Sequence, residues 1–199
     1  MSPNPKRMTI DEYYAWYQRR PDGERWELVD GYPVRMMAGA KRSHRVVTTN
    51  IAAALLPAAK AAGCDTATHD ANVTTGPNSS RLPDVVVDCD PPADDAMGTG
   101  RPVILIEVAS PSTRHFDQTD KLEEYRALDG ARVVMLVEPD VVAVKVYRRN
   151  DAGEWRTERY GRLTDEVSLP EIGTTLAVSA IYDTLTVEER PELSVVSTS

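Results

Sequence analysis

Three apolar runs constrain this chain more than any other feature: VVV inside RLPDVVVDCD (81–90), VILIEV, broken only by its glutamate, inside PVILIEVASPST (102–113), and VVMLV inside ARVVMLVEP (131–139). A strand with one wet face alternates apolar and polar residues, whereas a strand covered on both faces reads as a continuous run. The runs therefore predict the interior strands of a mixed sheet with helices packed on it. Two of them carry an acid that water would otherwise keep, Asp84 where the first begins and Glu107 near the end of the second. An isolated carboxylate in an apolar sheet costs on the order of several kcal/mol or takes up a proton. A pair of them calls for a partner, most simply a hard divalent cation, because carboxylate oxygens together with water are what magnesium accepts. The plainer alternative leaves Asp84 exposed at a strand edge after Pro83 and pairs Glu107 with a nearby arginine. On these two residues alone both readings stand.

The segments between the runs supply the covering layers. TIDEYYAWYQRR sets Thr9 three residues before Glu12, a capping box, and Pro21-Asp22-Gly23 ends that helix. RWELVDGYPVRM alternates about Asp30-Gly31, a dipeptide suited to a tight hairpin turn. Ser43 is the expected N-cap of a long helix whose Val47, Ile51 and Leu55 form an apolar stripe; Pro57 is expected to kink or split it and Gly63 to end it. CDTATHDANVTTG reads as a strand or a loose hairpin. Residues Asp117 to Leu128 have helical spacing and close on Asp129-Gly130. VVAVKVYRR with GEWRTERY reads as a hairpin, SLPEIGTTLAVSAIYD as a closing segment, and the tail after Arg190 as frayed.

The expectation is one domain over residues 1–190, with 191–199 a flexible tail. No apolar run approaches the ~20 residues of a membrane span and the start is too polar for a signal peptide, which predicts a soluble, cytoplasmic protein with no membrane partner. Cys64 and Cys89, the only cysteines, are expected as free thiols in a reducing compartment. A net charge of −8 argues against a protein that coats nucleic acid, but not against an enzyme with a local basic rim such as Lys41–Arg45. His69 and His115 have no partner at zinc spacing, and no Gly-x-Ser-x-Gly, phosphate-binding glycine loop or dinucleotide fingerprint is present.

The order of these features carries a resemblance. Pro83-Asp84, Glu107 inside a hydrophobic strand 23 positions later, and a helix bearing a lysine resemble the PD-(D/E)XK nuclease superfamily. WELVDGYPVRM, SHRVVTTNIAAALL, RLPDVVV, LIEVASPST, DQTDKLEEY and ARVVMLVEP together are similar to the Uma family of restriction-endonuclease-like proteins. The resemblance implies an α/β fold with a restriction endonuclease-like mixed central sheet, flanking helices, and N-terminal and C-terminal hairpins. It also implies a Mg2+ (or Mn2+) site formed by Asp84, Glu107 and the main-chain carbonyl of Val108. The superfamily's lysine falls two residues after the glutamate, where this chain has Ala109. Lys121 is the candidate replacement, four residues after Asp117, as in the Uma pattern; the pair reads equally as a helix ion pair. Glu27 matches a position that is either a third acid at the metal or one exposed residue of an alternating strand. His44 faces a phosphate or solvent. Lys41, Arg42, Arg81 and Arg114 are possible contacts to a nucleic-acid backbone, with surface residues as the alternative.

The function so implied is metal-dependent hydrolysis of phosphodiester bonds, in DNA before RNA, by a homodimer. The competing reading is a nuclease fold that no longer cuts and serves as a binding or regulatory module, as Ala109 and the −8 charge suggest.

Overall fold

The structure, a computed structural model, describes residues 7–36, 41–69, 71–110 and 117–193, with the backbone alone at 117, 118 and 193. Helix α1 (Ile10–Tyr17) begins with the expected capping box: the Glu12 N–H donates to the Thr9 hydroxyl and the Thr9 N–H to the Glu12 carboxylate. Strands β1 (Trp26–Val29) and β2 (Tyr32–Arg35) form the expected hairpin; its two-residue turn has positive φ at both Asp30 (49°) and Gly31 (85°), which matches the twist of the strands. Helix α2 (Arg42–Ala61) follows, then β3 (Asp65–Thr68), β4 (Val73–Gly76), β5 (Ser79–Arg81), β6 (Val85–Asp88) and β7 (Pro102–Val108). Helix α3 (Asp117–Ala127) leads to β8 (Val133–Glu138), β9 (Val141–Arg149) and β10 (Trp155–Tyr160), and β11 (Glu166–Leu169) pairs with β12 (Thr174–Ala177).

The three apolar runs are β6, β7 and β8, side by side in a central sheet ordered β10-β9-β8-β7-β6-β3. The sheet is mixed: β7 and β8 are parallel and joined through α3, and the other neighbours along it are antiparallel. Both faces are covered, as the runs require. Val47, Ile51, Leu55 and Ala59 of α2 pack with Val85, Val87, Ile104 and Ile106, while Tyr125 and Leu122 of α3 pack with Val86, Leu105 and Val134. Alternate residues of one run thus serve two cores.

Several expectations are corrected. The segment Cys64–Gly76 is no hairpin: β3 joins the central sheet, and β4 joins a second sheet ordered β2-β1-β5-β4. The N-cap of α2 is Lys41, and the Ser43 hydroxyl donates instead to Asp140 at 2.7 Å. Pro57 neither splits nor ends α2, which runs on to Ala61; Pro57 and Ala53, whose carbonyl loses its helical donor, both lie on the exposed side, where water can supply one. Gly63, with φ 74°, does end it. Cys64 and Cys89 are joined in a disulfide, so the free-thiol expectation fails. Asp65 pairs with Asp88 across β3 and β6, which brings the flanking cysteines opposite one another, Cα atoms 4.1 Å apart. Beyond Arg190 the chain continues as a 3-10 turn over Pro191–Leu193; the rest of the expected tail lies outside the described residues. Among the described residues no helix is long and apolar enough to cross a membrane.

Candidate active site

Strand register assembles the site. Thr68 pairs with Val85 across β3 and β6, and Val85 with Ile106 across β6 and β7. Continuing each antiparallel register by one residue sets Asp84 opposite both His69 and Glu107, and residues opposite one another share a face of the sheet. The two carboxylates therefore leave the sheet on one side, at the ends of adjacent strands. The Val108 N–H donates to Asp84 Oδ2 at 2.8 Å, tying the end of β7 to the start of β6. Asp84 is not an exposed edge residue, since its side chain is only 14% accessible.

Two imidazoles hold Asp84. Nε2 of His44, in the first turn of α2, lies 3.4 Å from Oδ2, and Nδ1 of His69, just beyond β3, lies 3.4 Å from Oδ1. The rings stack with centroids 6.3 Å apart. His69 has φ 59°, an unusual conformation for a residue with a side chain and one that gathers at functional sites. Burial works to raise the pKa of Asp84, but the hydrogen bonds from His44 and His69 outweigh it and hold the carboxyl well below its ordinary range. His44 is shifted upward in return, chiefly by its bond to Asp84, with the Val108 backbone carbonyl adding.

Glu107 meets a different environment. It lies in an interior strand with β6 on one side and β8 on the other, and is 9% exposed. Burial pushes its pKa up to about 7; Lys121 opposes the rise, and the charges of Asp84 and Glu27 add to it. The Tyr125 hydroxyl donates to Glu107 Oε1 at 2.7 Å, and Lys121 Nζ lies 3.6 Å from the same oxygen. Lys121 and Tyr125 are four residues apart on α3, so one helix face delivers both. Lys121 Nζ also lies 2.8 Å from Glu27 Oε1.

Glu27, on β1, is itself enclosed: its Oε1 accepts the Leu82 N–H at 3.0 Å and its Oε2 accepts from Arg81 Nη1 at 3.3 Å. Arg81 is 2% exposed and grips Glu124 of α3 through Nε and Nη2, at 2.8 and 2.5 Å. A guanidinium so enclosed does not reach a phosphate backbone, and the expected nucleic-acid contact by Arg81 is replaced by a structural pair. Lys41 lies 3.6 Å from Asp140 at the surface, and Arg42 lines an open groove beside α2 with Arg45. Arg114 and the side chain of Asp117 lie outside the described residues.

The donor set suits a hard divalent cation. Among the described residues no three His, Cys, Asp or Glu side chains converge on one metal position, so an ion here would take Asp84, Glu107, the Val108 carbonyl and water. The charged groups around the site form two sets: Glu107, Glu27 and Glu124 with Lys121 and Arg81, and Asp84 with the imidazoles of His44 and His69. His69, Tyr125 and Glu124 were not singled out from the sequence as site residues. Tyr125 had a usable signal in its four-residue spacing from Lys121; His69 had none until strand register placed it.

Comparison with known proteins places the fold and the family. The uncharacterized protein slr1290 of Synechocystis sp. is 29% identical over 185 residues, 91% of this chain and 94% of that protein. The crystal structure of a putative nuclease belonging to DUF820 from Anabaena variabilis superposes with a TM-score of 0.68 at 18% identity, over 87% of this chain and 97% of that one, and so shares the fold. A sequence profile described as Uma2, putative restriction endonuclease, matches residues 10–180 and spans both sheets and every residue of the site. The chain belongs to the Uma2 family of putative restriction endonucleases.

Proposed function

We propose that this protein is a metal-dependent endonuclease that hydrolyses phosphodiester bonds, with DNA as the preferred substrate, and that residues 1–190 act as one domain. The observation that carries the reading is that Asp84 and Glu107 stand at adjoining strand ends while Lys121, on α3, brings its Nζ 3.6 Å from Glu107. A Mg2+ or Mn2+ ion bound by Asp84, Glu107 and the Val108 carbonyl would supply Lewis-acid polarisation of the phosphate and a more acidic water. The chain's own part is to fix charge. Lys121 presents an ammonium to the negative charge that gathers on phosphoryl oxygens in the transition state, in a site that excludes most water. His44 and His69 keep Asp84 ionised and oriented, and Tyr125 orients Glu107.

Cleavage of single-stranded, duplex and branched DNA and of RNA, with Mg2+ or Mn2+ and beside an Asp84→Ala control, tests this. Metal-dependent products that vanish in Asp84→Ala are expected; their absence on every substrate would sink it. Ala109 in place of the strand lysine favours the second reading, a non-cutting binding module, which predicts nucleic-acid binding without products. We also take the protein to be a homodimer. Restriction-type nucleases pair subunits to address two strands, and the β1–β2 hairpin carries Val34, 45% exposed. Light scattering at micromolar concentration should give twice the monomer mass, and monomer alone would refute it.

A further inference from the structure

We propose that Glu27 and Arg81 are positioning residues for Lys121: a buried chain running Arg81 to Glu27 to Lys121 fixes the ammonium beside Glu107 and makes the small sheet part of the catalytic apparatus. The inference rests on the reading of Lys121 as the catalytic amine. Glu27 comes from β1 and Arg81 from the end of β5, both in the small sheet, whereas Lys121 and Glu107 belong to the layer around the central sheet. Glu27, Arg81 and Lys121 are 1%, 2% and 4% exposed, so the chain between them is shut off from water.

The direction of the chain follows from its donors. Glu27 Oε1 takes Lys121 Nζ and the Leu82 N–H, and Oε2 takes Arg81 Nη1, so donors on both oxygens fix the plane of the carboxylate. That fixed plane directs Glu27 to the ammonium and separates its role from that of a third metal-binding acid. Arg81 is aligned in turn by its two bonds to Glu124. Glu124 lies three residues after Lys121 on α3, so one helix face anchors both ends of the chain. A lysine stem has four rotatable carbons and no preferred fork geometry; fixed partners on both sides of its ammonium supply the orientation the side chain lacks.

The test uses the full chain and Glu27→Asp, which keeps the buried negative charge but draws it back by one methylene. Displacing the ammonium by about 1 Å should lower kcat about a hundredfold with KM unchanged. Three further results are expected. Mn2+ binding by titration calorimetry stays as in the wild type, while Glu107→Gln loses it. The slowly exchanging ammonium resonance of Lys121, assigned by its absence in Lys121→Arg, disappears. In a Lys121→Ala background, adding Glu27→Asp leaves the residual rate unchanged, because a positioning residue acts only through its target. Glu27→Gln, if it folds, should repeat the pattern.

Loss of Mn2+ binding in Glu27→Asp matching that of Glu107→Gln would make Glu27 a ligand and overturn the proposal. So would an equal fall in rate with and without Lys121, which marks a purely structural role. A wild-type protein that cuts no nucleic acid would sink the nuclease reading instead. The ammonium resonance then still decides the positioning chain, since its persistence in Glu27→Asp overturns it.

Discussion

Ala109 leaves the strand after Glu107 without a cation, and Lys121 reaches the same carboxylate from α3. A lysine at 109 would point to the same side of β7 as Glu107, because side chains alternate with period two; Ala109 is 3% exposed, so that position faces the packed interior near the site. Lys121→Ala should therefore lose a factor of about 10²–10³ in cleavage, the scale of one transition-state donor, while still binding Mn2+. Adding Ala109→Lys should restore part of the rate, and full activity in Lys121→Ala would refute the relocation. Asp84 and Glu107 were legible as acids at fixed places along apolar runs, and Lys121 only through the resemblance to the Uma pattern, since its spacing from Asp117 reads equally as a helix ion pair. Arg81 was misread for a physical reason. An arginine is normally a surface residue, and only its partners Glu27 and Glu124, 54 and 43 positions away in the chain, make its burial affordable.

At the scale of elements, α2 shows how environment overrides a local rule. Pro57 lacks an N–H and ordinarily costs a helix interior about 3 kcal/mol, but it falls on the wet side of α2, two residues in sequence from the buried Leu55 and Ala59 and off their face of the helix. Pro57→Ala restores the missing bond without touching the core, so the urea midpoint should rise by the equivalent of about 1–3 kcal/mol. An unchanged midpoint would show that the helix has already relaxed around the ring. The β9–β10 hairpin carries a different test. Arg148 holds Glu158 through Nε at 2.8 Å and Glu171 through Nη1 at 3.1 Å, and the Tyr160 hydroxyl donates to Glu158 at 2.8 Å. Burial works to raise the Glu158 pKa, but the hydrogen bonds from Arg148 and Tyr160 prevail and hold it below the ordinary range. A group depressed in the folded state contributes stability that is fully present above its unfolded value, about 4.3, and is lost as pH falls through the folded value. Glu158→Gln should accordingly be less stable than the wild type at neutral pH, with the gap narrowing as pH falls below the unfolded value; urea unfolding over a pH series measures it, and a constant gap would refute it.

Over the whole molecule, the central sheet was legible because burial on both faces writes itself into three continuous runs. The small sheet was not: VTTG and SSR of β4 and β5 are short and polar, and only their pairing with β1 identifies them as strands. The disulfide was hidden for a related reason, since two cysteines 25 residues apart carry no local signal and only the β3–β6 register brings them together. That register places the disulfide and the site at opposite ends of one strand pair. Cys64–Cys89 closes the end at Asp65–Asp88, and His69 meets Asp84 beyond Thr68–Val85. Four residues of strand separate them, about 13 Å at 3.3 Å per residue. A crosslink over 25 residues removes loop-closure entropy from the unfolded chain, worth about 3.5 kcal/mol in the chain-entropy picture. Cys64→Ser with Cys89→Ser should thus lower stability by about that amount. Mn2+ binding at the folded site should not change, because Asp84 is held by His44, His69 and the Val108 N–H, none of which the crosslink touches. Urea unfolding and Mn2+ titration of the double variant separate the two effects. A loss of metal affinity in a variant that is still folded would mean that β3 shifts along β6 without the crosslink, carrying His69 off Asp84.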